Sequence, residues 1–131
     1  NLTNMKILSS ATIFSVSDID ASLHFYKEVI GGKDYFRFGD YAGILLGSVE
    51  IHLAGPSVPL KKTQGQGSIY VFCEGVDEAY HEIVSKGANV VVPIANQDYS
   101  MRDFVIQDPD GNLITLGQEI DQDGRLIIKQ N

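Results

Sequence analysis

Glu50 and His52 stand two residues apart in "VEIHL". In an extended strand that spacing puts both side chains on one face. A carboxylate beside an imidazole can move a proton, accept a hydrogen bond from a ligand or hold a metal. Thr115 sits in "NLITLGQ", after the turn Asp108-Pro109-Asp110-Gly111. Its hydroxyl is a weak donor set for any divalent metal. Cys73 is the one cysteine. It has no CxxC partner for zinc and no internal disulfide partner, so it reads as a small buried hydrophobe.

The elements that carry these residues occur twice. "ATIFSV" reads as a strand and Asp18 as an N-cap. "IDASLHFYKEVIGG" reads as a helix, with Leu23, Tyr26 and Ile30 at helical spacing. "YFRFGD", "YAGILLGS" and "VEIHLAG" are three strands joined at Gly39-Asp40 and Gly47-Ser48. The second half repeats the order: strand "SIYVFCEG", helix "VDEAYHEIVSKG", then strands "ANVVVPIA", "RDFVIQ" and "NLITLGQ". Ile19 and Val76 open the two helices, 57 positions apart. The expected fold is α+β: two βαβββ modules whose mixed sheets meet around a cleft. Module one runs over about 6–55, a linker over 56–66, module two over about 67–118 and a tail over 119–131. Within the tail, "RLIIK" after Asp123-Gly124 can add a strand.

Strand alternation divides the two faces. Phe14 and Val16 go under the first helix, and Ala11, Ile13 and Ser15 to the cleft. Ile69, Val71 and Cys73 go under the second helix, and Ser68, Tyr70 and Phe72 to the cleft. Val49, Ile51 and Leu53 take the helix side, leaving Glu50 and His52 inward; Ile114 and Leu116 leave Thr115 inward. Two readings of Glu50 stand side by side: an edge carboxylate in water, or a carboxylate in a partly apolar cavity with Tyr70 and Phe72. His52 likewise reads either as a solvated strand histidine or as part of the site. His24 and His81 follow apolar anchors and fall on the polar sides of their helices.

Composition narrows the partners. Ten Lys+Arg against seventeen Asp+Glu give a net charge of −7, opposite to the usual nucleic-acid footprint. No apolar run is long enough to span a bilayer, and no signal-like segment is visible. A reducing cytoplasm is therefore the expected compartment. Asn1-Leu2-Thr3 matches a glycosylation sequon, read as chance in this setting.

"VSDIDASLHFYKEVIGG", "VDEAYHEIVSKGANVVVP" and "MRDFVIQDPDGNLITLGQ" together resemble the vicinal oxygen chelate superfamily over roughly residues 6–118. That superfamily includes glyoxalases, extradiol dioxygenases, fosfomycin-resistance enzymes and bleomycin-resistance proteins. The resemblance implies metal ligands at four pseudo-symmetric points, matched here to Ala11, Glu50, Ser68 and Thr115. Only Glu50 is a ligand type, so the resemblance leans to the metal-free bleomycin-resistance branch, whose members sequester drug-like molecules between two subunits. Tyr99-Ser100 lies where relatives carry an aromatic-glycine pair, which makes Tyr99 either a pocket wall or a surface loop aromatic. The expectation is a homodimeric protein that binds a small organic ligand, cationic or aromatic, through Glu50, His52, Ser68, Tyr70, Phe72, Tyr99 and Thr115. No metal and no other cofactor is expected, and neither nucleic acid nor a membrane is an expected partner. The alternative is a metal-dependent or metal-independent lyase- or dioxygenase-type enzyme of the same superfamily using Glu50, and a third reading is a protein-interaction module that kept only the fold.

Overall fold

The structure, a computed structural model, describes residues 4–59 and 62–129. The sequon at Asn1 lies outside them. Each half of the chain builds a four-stranded mixed sheet with helix on one face. The first holds β1 (Thr12–Ser15), β2 (Lys33–Phe38), β3 (Tyr41–Leu46) and β4 (Val49–Ala54) in the order β1-β4-β3-β2. The second holds β5 (Ser68–Phe72), β6 (Asn89–Asn96), β7 (Met101–Gln107) and β8 (Leu113–Glu119) in the order β5-β8-β7-β6. In each sheet the first strand runs parallel to the last and the hairpin strands run antiparallel. Pro93 falls in β6, an edge strand, where a missing N–H costs no ladder bond.

The helices start by different means. Asp18 caps α1 (Ile19–His24) by accepting from the amides of Asp20 and Ala21 at 3.0 and 3.1 Å. The α-helix ends earlier than its periodicity predicts. Phe25–Val29 widens into a π-turn, which still buries Phe25 and Tyr26. Helix α2 (Val76–Ser85) opens on Gly75, whose φ of 75° suits glycine, and has no side-chain cap of its own. Gln118 of β8 supplies the acceptor, taking the amides of Gly75 and Val76 at 3.0 and 3.2 Å.

The helix-side residues of both sheets join one apolar core, including Phe14, Tyr26, Ile51, Leu53, Val71, Phe104 and Ile114. The turn Asp108–Asn112 locks the halves together. Tyr26 donates to Asp108 Oδ2 at 2.8 Å, and the Ser17 amide donates to both oxygens of Asp110. Asn112 Nδ2 donates to the Ser15 carbonyl and to Asp108. Burial first, then the Asp108 charge, raise the Tyr26 phenol far above its ordinary pKa.

Two expectations are corrected here. Ser15, assigned to the open face, is buried, because the Lys62 amide crosses over and donates to its Oγ. Among its described residues the tail forms a single bridge, Ile120 to Leu126, and no full strand. It is held by Ile127 N to Glu119 O and by Gln118 Nε2 to Ile127 O. No helix among the described residues is long and apolar enough to cross a membrane.

Candidate functional site

On the first sheet, Ile51 and Leu53 are fully buried on the helix side. Alternation therefore places Glu50 and His52 together on the open face, as the sequence indicates. His52 Nε2 lies 2.6 Å from Glu50 Oε2, and His52 Nδ1 lies 2.7 Å from the Tyr41 phenol. The neutral imidazole with its proton on Nε2 satisfies all three groups: Tyr41 donates to Nδ1, and Nε2–H donates to Glu50. Glu50 Oε1 accepts no hydrogen bond among the described residues. Phe36 and Tyr41 both stand edge-on to the imidazole, at 5.0 and 5.4 Å between ring centroids. Burial, and then the Glu50 charge, raise the Tyr41 pKa. Tyr41 and Phe36 were not anticipated. For Phe36 the available signal was Gly43, where a Cβ would collide with the Phe36 ring.

The second sheet carries a separate cluster. Tyr70 and Tyr99 both donate to Asp103 Oδ2, at 2.8 and 2.7 Å. Tyr70 packs on Phe72 at 4.9 Å and crosses Gly117, where a Cβ would meet its hydroxyl. Burial first, then the bond to Asp103, raise the Tyr70 phenol well above its ordinary value. For exposed Tyr99 the hydrogen bond to Asp103 is the first cause of a raised pKa. Asp103 was also missed, although a carboxylate inside the apolar run of "RDFVIQ" was visible in the sequence. Ser68 is exposed and makes no side-chain hydrogen bond among the described residues, while Thr115 is half-buried opposite Tyr70. No hydrogen bond or ring contact among the described residues joins the two clusters. A groove of about 360 Å³ does run between the halves, lined by residues such as Ile30, Leu46, Val71 and Phe72. Phe72 is its one residue from the anticipated set.

The register corrects the anticipated symmetry. Val16 N bonds Ala54 O as Cys73 N bonds Gly117 O. Ile13 then pairs with His52 as Tyr70 pairs with Thr115. The residue equivalent to Thr115 is therefore His52, and Glu50 corresponds to Leu113. The four symmetric places hold Ala11, His52, Ser68 and Thr115. Of these only His52 has a ligand side chain, and both its ring nitrogens are already engaged. This donor set does not fit a divalent metal. Nor does any group of three or more His, Cys, Asp or Glu among the described residues suit a metal ion.

Comparison with known proteins agrees with this architecture. The family model for the Glyoxalase/Bleomycin resistance protein/Dioxygenase superfamily matches residues 9–116. Bleomycin resistance proteins of Geobacillus stearothermophilus and Staphylococcus aureus are 28% identical, over 87% of this chain and 98% of theirs. Among solved structures, a bleomycin-binding protein from Streptomyces verticillus, complexed with copper(II)-bleomycin, superposes with a TM-score of 0.71. That match covers 90% of this chain and 99% of the other, at 17% identity, and so speaks for the fold alone. A superfamily member from Sphaerobacter thermophilus gives a TM-score of 0.75 at 23% identity, over 88% of this chain and 99% of that one.

Proposed function

The chain belongs to the glyoxalase/bleomycin resistance protein/dioxygenase superfamily, and from that premise we propose that it binds and sequesters a small organic molecule without a catalytic metal. The observation that carries this reading is the Glu50–His52–Tyr41 chain beside Phe36 on an open sheet face. A carboxylate with one unused oxygen, next to aromatic rings, suits a flat or partly apolar ligand with a cationic or donor group. The net charge of −7 favours the arrival of cations over anions. The relatives named for bleomycin resistance support the same class of ligand.

The working form is a homodimer in a cytoplasmic setting. Ile13, Phe38 and Phe72 are 58%, 79% and 76% exposed in the single chain. Apolar residues so placed on the open faces favour a covering partner, and a second copy of the chain is the simplest one. The experiment that tests the binding reading is a thermal-shift screen of cationic heteroaromatics, metal-free bleomycin among them, against acids of similar size. Stabilisation by the cationic set supports it, and stabilisation by acids alone contradicts it.

One observation favours a second reading, an enzyme with Glu50 as its base. The chain Tyr41–His52–Glu50 is continuous at 2.7 and 2.6 Å, a path along which a proton could pass between the phenol and the carboxylate. Chemical conversion of a stabilising ligand, lost in Tyr41→Phe and Glu50→Gln, would select this reading.

A further inference from the structure

Asp103 is an ionisable residue in an unusual position. Its neighbours Phe104 and Ile106 enter the core, so the Asp103 side chain belongs to the open face of the second sheet. It is nevertheless only 2% exposed. Both of its phenol donors, Tyr70 and Tyr99, bind the same oxygen, Oδ2. Oδ1 accepts no hydrogen bond among the described residues. The one sealed side-chain polar atom without a partner among them is Ser22 Oγ, so Oδ1 keeps a contact with solvent. No ion pair among the described residues reaches it either: Arg102, next in the chain, points to the helix face and binds Asp77 at 2.8 Å. A sheltered carboxylate with one free oxygen and no counter-ion is costly unless a donor or a cation arrives from outside.

The surroundings fit a cation. Tyr70, whose ring lies 4.9 Å from that of Phe72 at a 40° tilt, donates to the carboxylate, and Tyr99, 60% exposed, covers it from the loop before β7. Aromatic faces around a carboxylate stabilise an ammonium or amidinium group by charge and by cation–π contact together. We infer that Asp103 Oδ1, flanked by Tyr70 and Tyr99, is the anchor for a positively charged amine of the bound molecule. The inference rests on the small-molecule-binding reading above and adds a second, Glu50-independent contact, made to an amine of the ligand.

The test uses benzylamine, with benzyl alcohol as its neutral match, titrated into the 131-residue chain by amide NMR. Benzylamine is expected to shift the amides of Tyr70, Tyr99 and Asp103. Asp103→Asn keeps the shape and removes the charge, and is expected to weaken benzylamine at least tenfold while leaving benzyl alcohol unchanged. Equal benzylamine affinity in the two proteins, or shifts confined to other parts of the chain, overturns the inference. If Asp103→Asn loses its fold by circular dichroism, the wild-type protein carries the test. Nuclear Overhauser contacts from the benzylamine methylene to the Tyr70 and Tyr99 rings then support the anchor, and their absence overturns it. Metal-free bleomycin, titrated in parallel, separates the two levels. Bleomycin binding with failure of the benzylamine arm refutes the anchor alone, whereas binding of neither refutes the anchor and the function it rests on.

Discussion

His52 and Thr115 occupy the same place in the two sheets, opposite Ile13 and Tyr70 respectively. At this shared place one sheet carries an imidazole and the other a neutral hydroxyl. The imidazole is hydrogen-bonded at both nitrogens. After dialysis against zinc, nickel, manganese or iron, elemental analysis is expected to find well under one equivalent of each. Near one equivalent of any, lost on His52→Ala, would show that the site does take a metal.

The Tyr26–Asp108 bond joins the two halves inside the core. Tyr26→Phe removes a buried donor to a charged acceptor, and a loss of about 1.5–3 kcal/mol is expected in urea melts. Asn112 continues to bind the same oxygen, which limits the damage. A variant as stable as the parent contradicts the assignment.

The same phenol sets an alkaline limit. The folded-state pKa of Tyr26 lies above its ordinary value of 10.0, and so does that of Tyr70. A raised folded pKa means that the contribution is complete below about pH 10 and is lost as pH rises beyond it. The stability gap between the parent and Tyr26→Phe should therefore hold from pH 7 to pH 9 and shrink above pH 10. Tyrosinate absorbance should show these two phenols ionising only as the protein unfolds.

Ser100 has a φ of 63°, the only positive value at a non-glycine residue in the described chain. Ser100→Gly relieves this left-handed backbone and should stabilise the protein by about 0.5–1 kcal/mol. A fall in melting temperature would show that the serine contributes more than backbone strain takes away.

The exposed apolar residues on the open faces lead to an oligomeric prediction. Light scattering on a size-exclusion column should return twice the chain mass at micromolar concentration. Phe38→Glu, at a position already 79% exposed, should yield monomer with unchanged circular dichroism. A monomeric parent contradicts the dimer.

Much of this arrangement was legible in the sequence because it rests on alternation and turn chemistry. Phe14, Ile51, Leu53, Val71 and Ile114 are buried on the side that parity assigned. Glu50 and His52 share a face for the same reason, and His24 and His81 are exposed as the helix spacing implied. Register was less accessible. Glu50 was matched to Thr115 through the family resemblance, yet strand pairing depends on where each hairpin closes, and the ladder matches His52 instead. Tyr41 and Asp103 escaped notice because their partners lie across the sheet or in the preceding loop, at distances no local period encodes. The π-turn at Phe25–Val29, which buries Phe25 and Tyr26, left no mark in the helical spacing of the sequence.

The most direct test of the central claim is a calorimetric titration of metal-free bleomycin into the parent protein and into Glu50→Gln. Saturable binding to the parent is expected without added metal. Binding weakened by about 1.5–3 kcal/mol is expected in the variant, the loss of one charge-assisted hydrogen bond. Equal affinity in the two proteins, no binding to either, or binding that appears only after a divalent metal is added would contradict that claim.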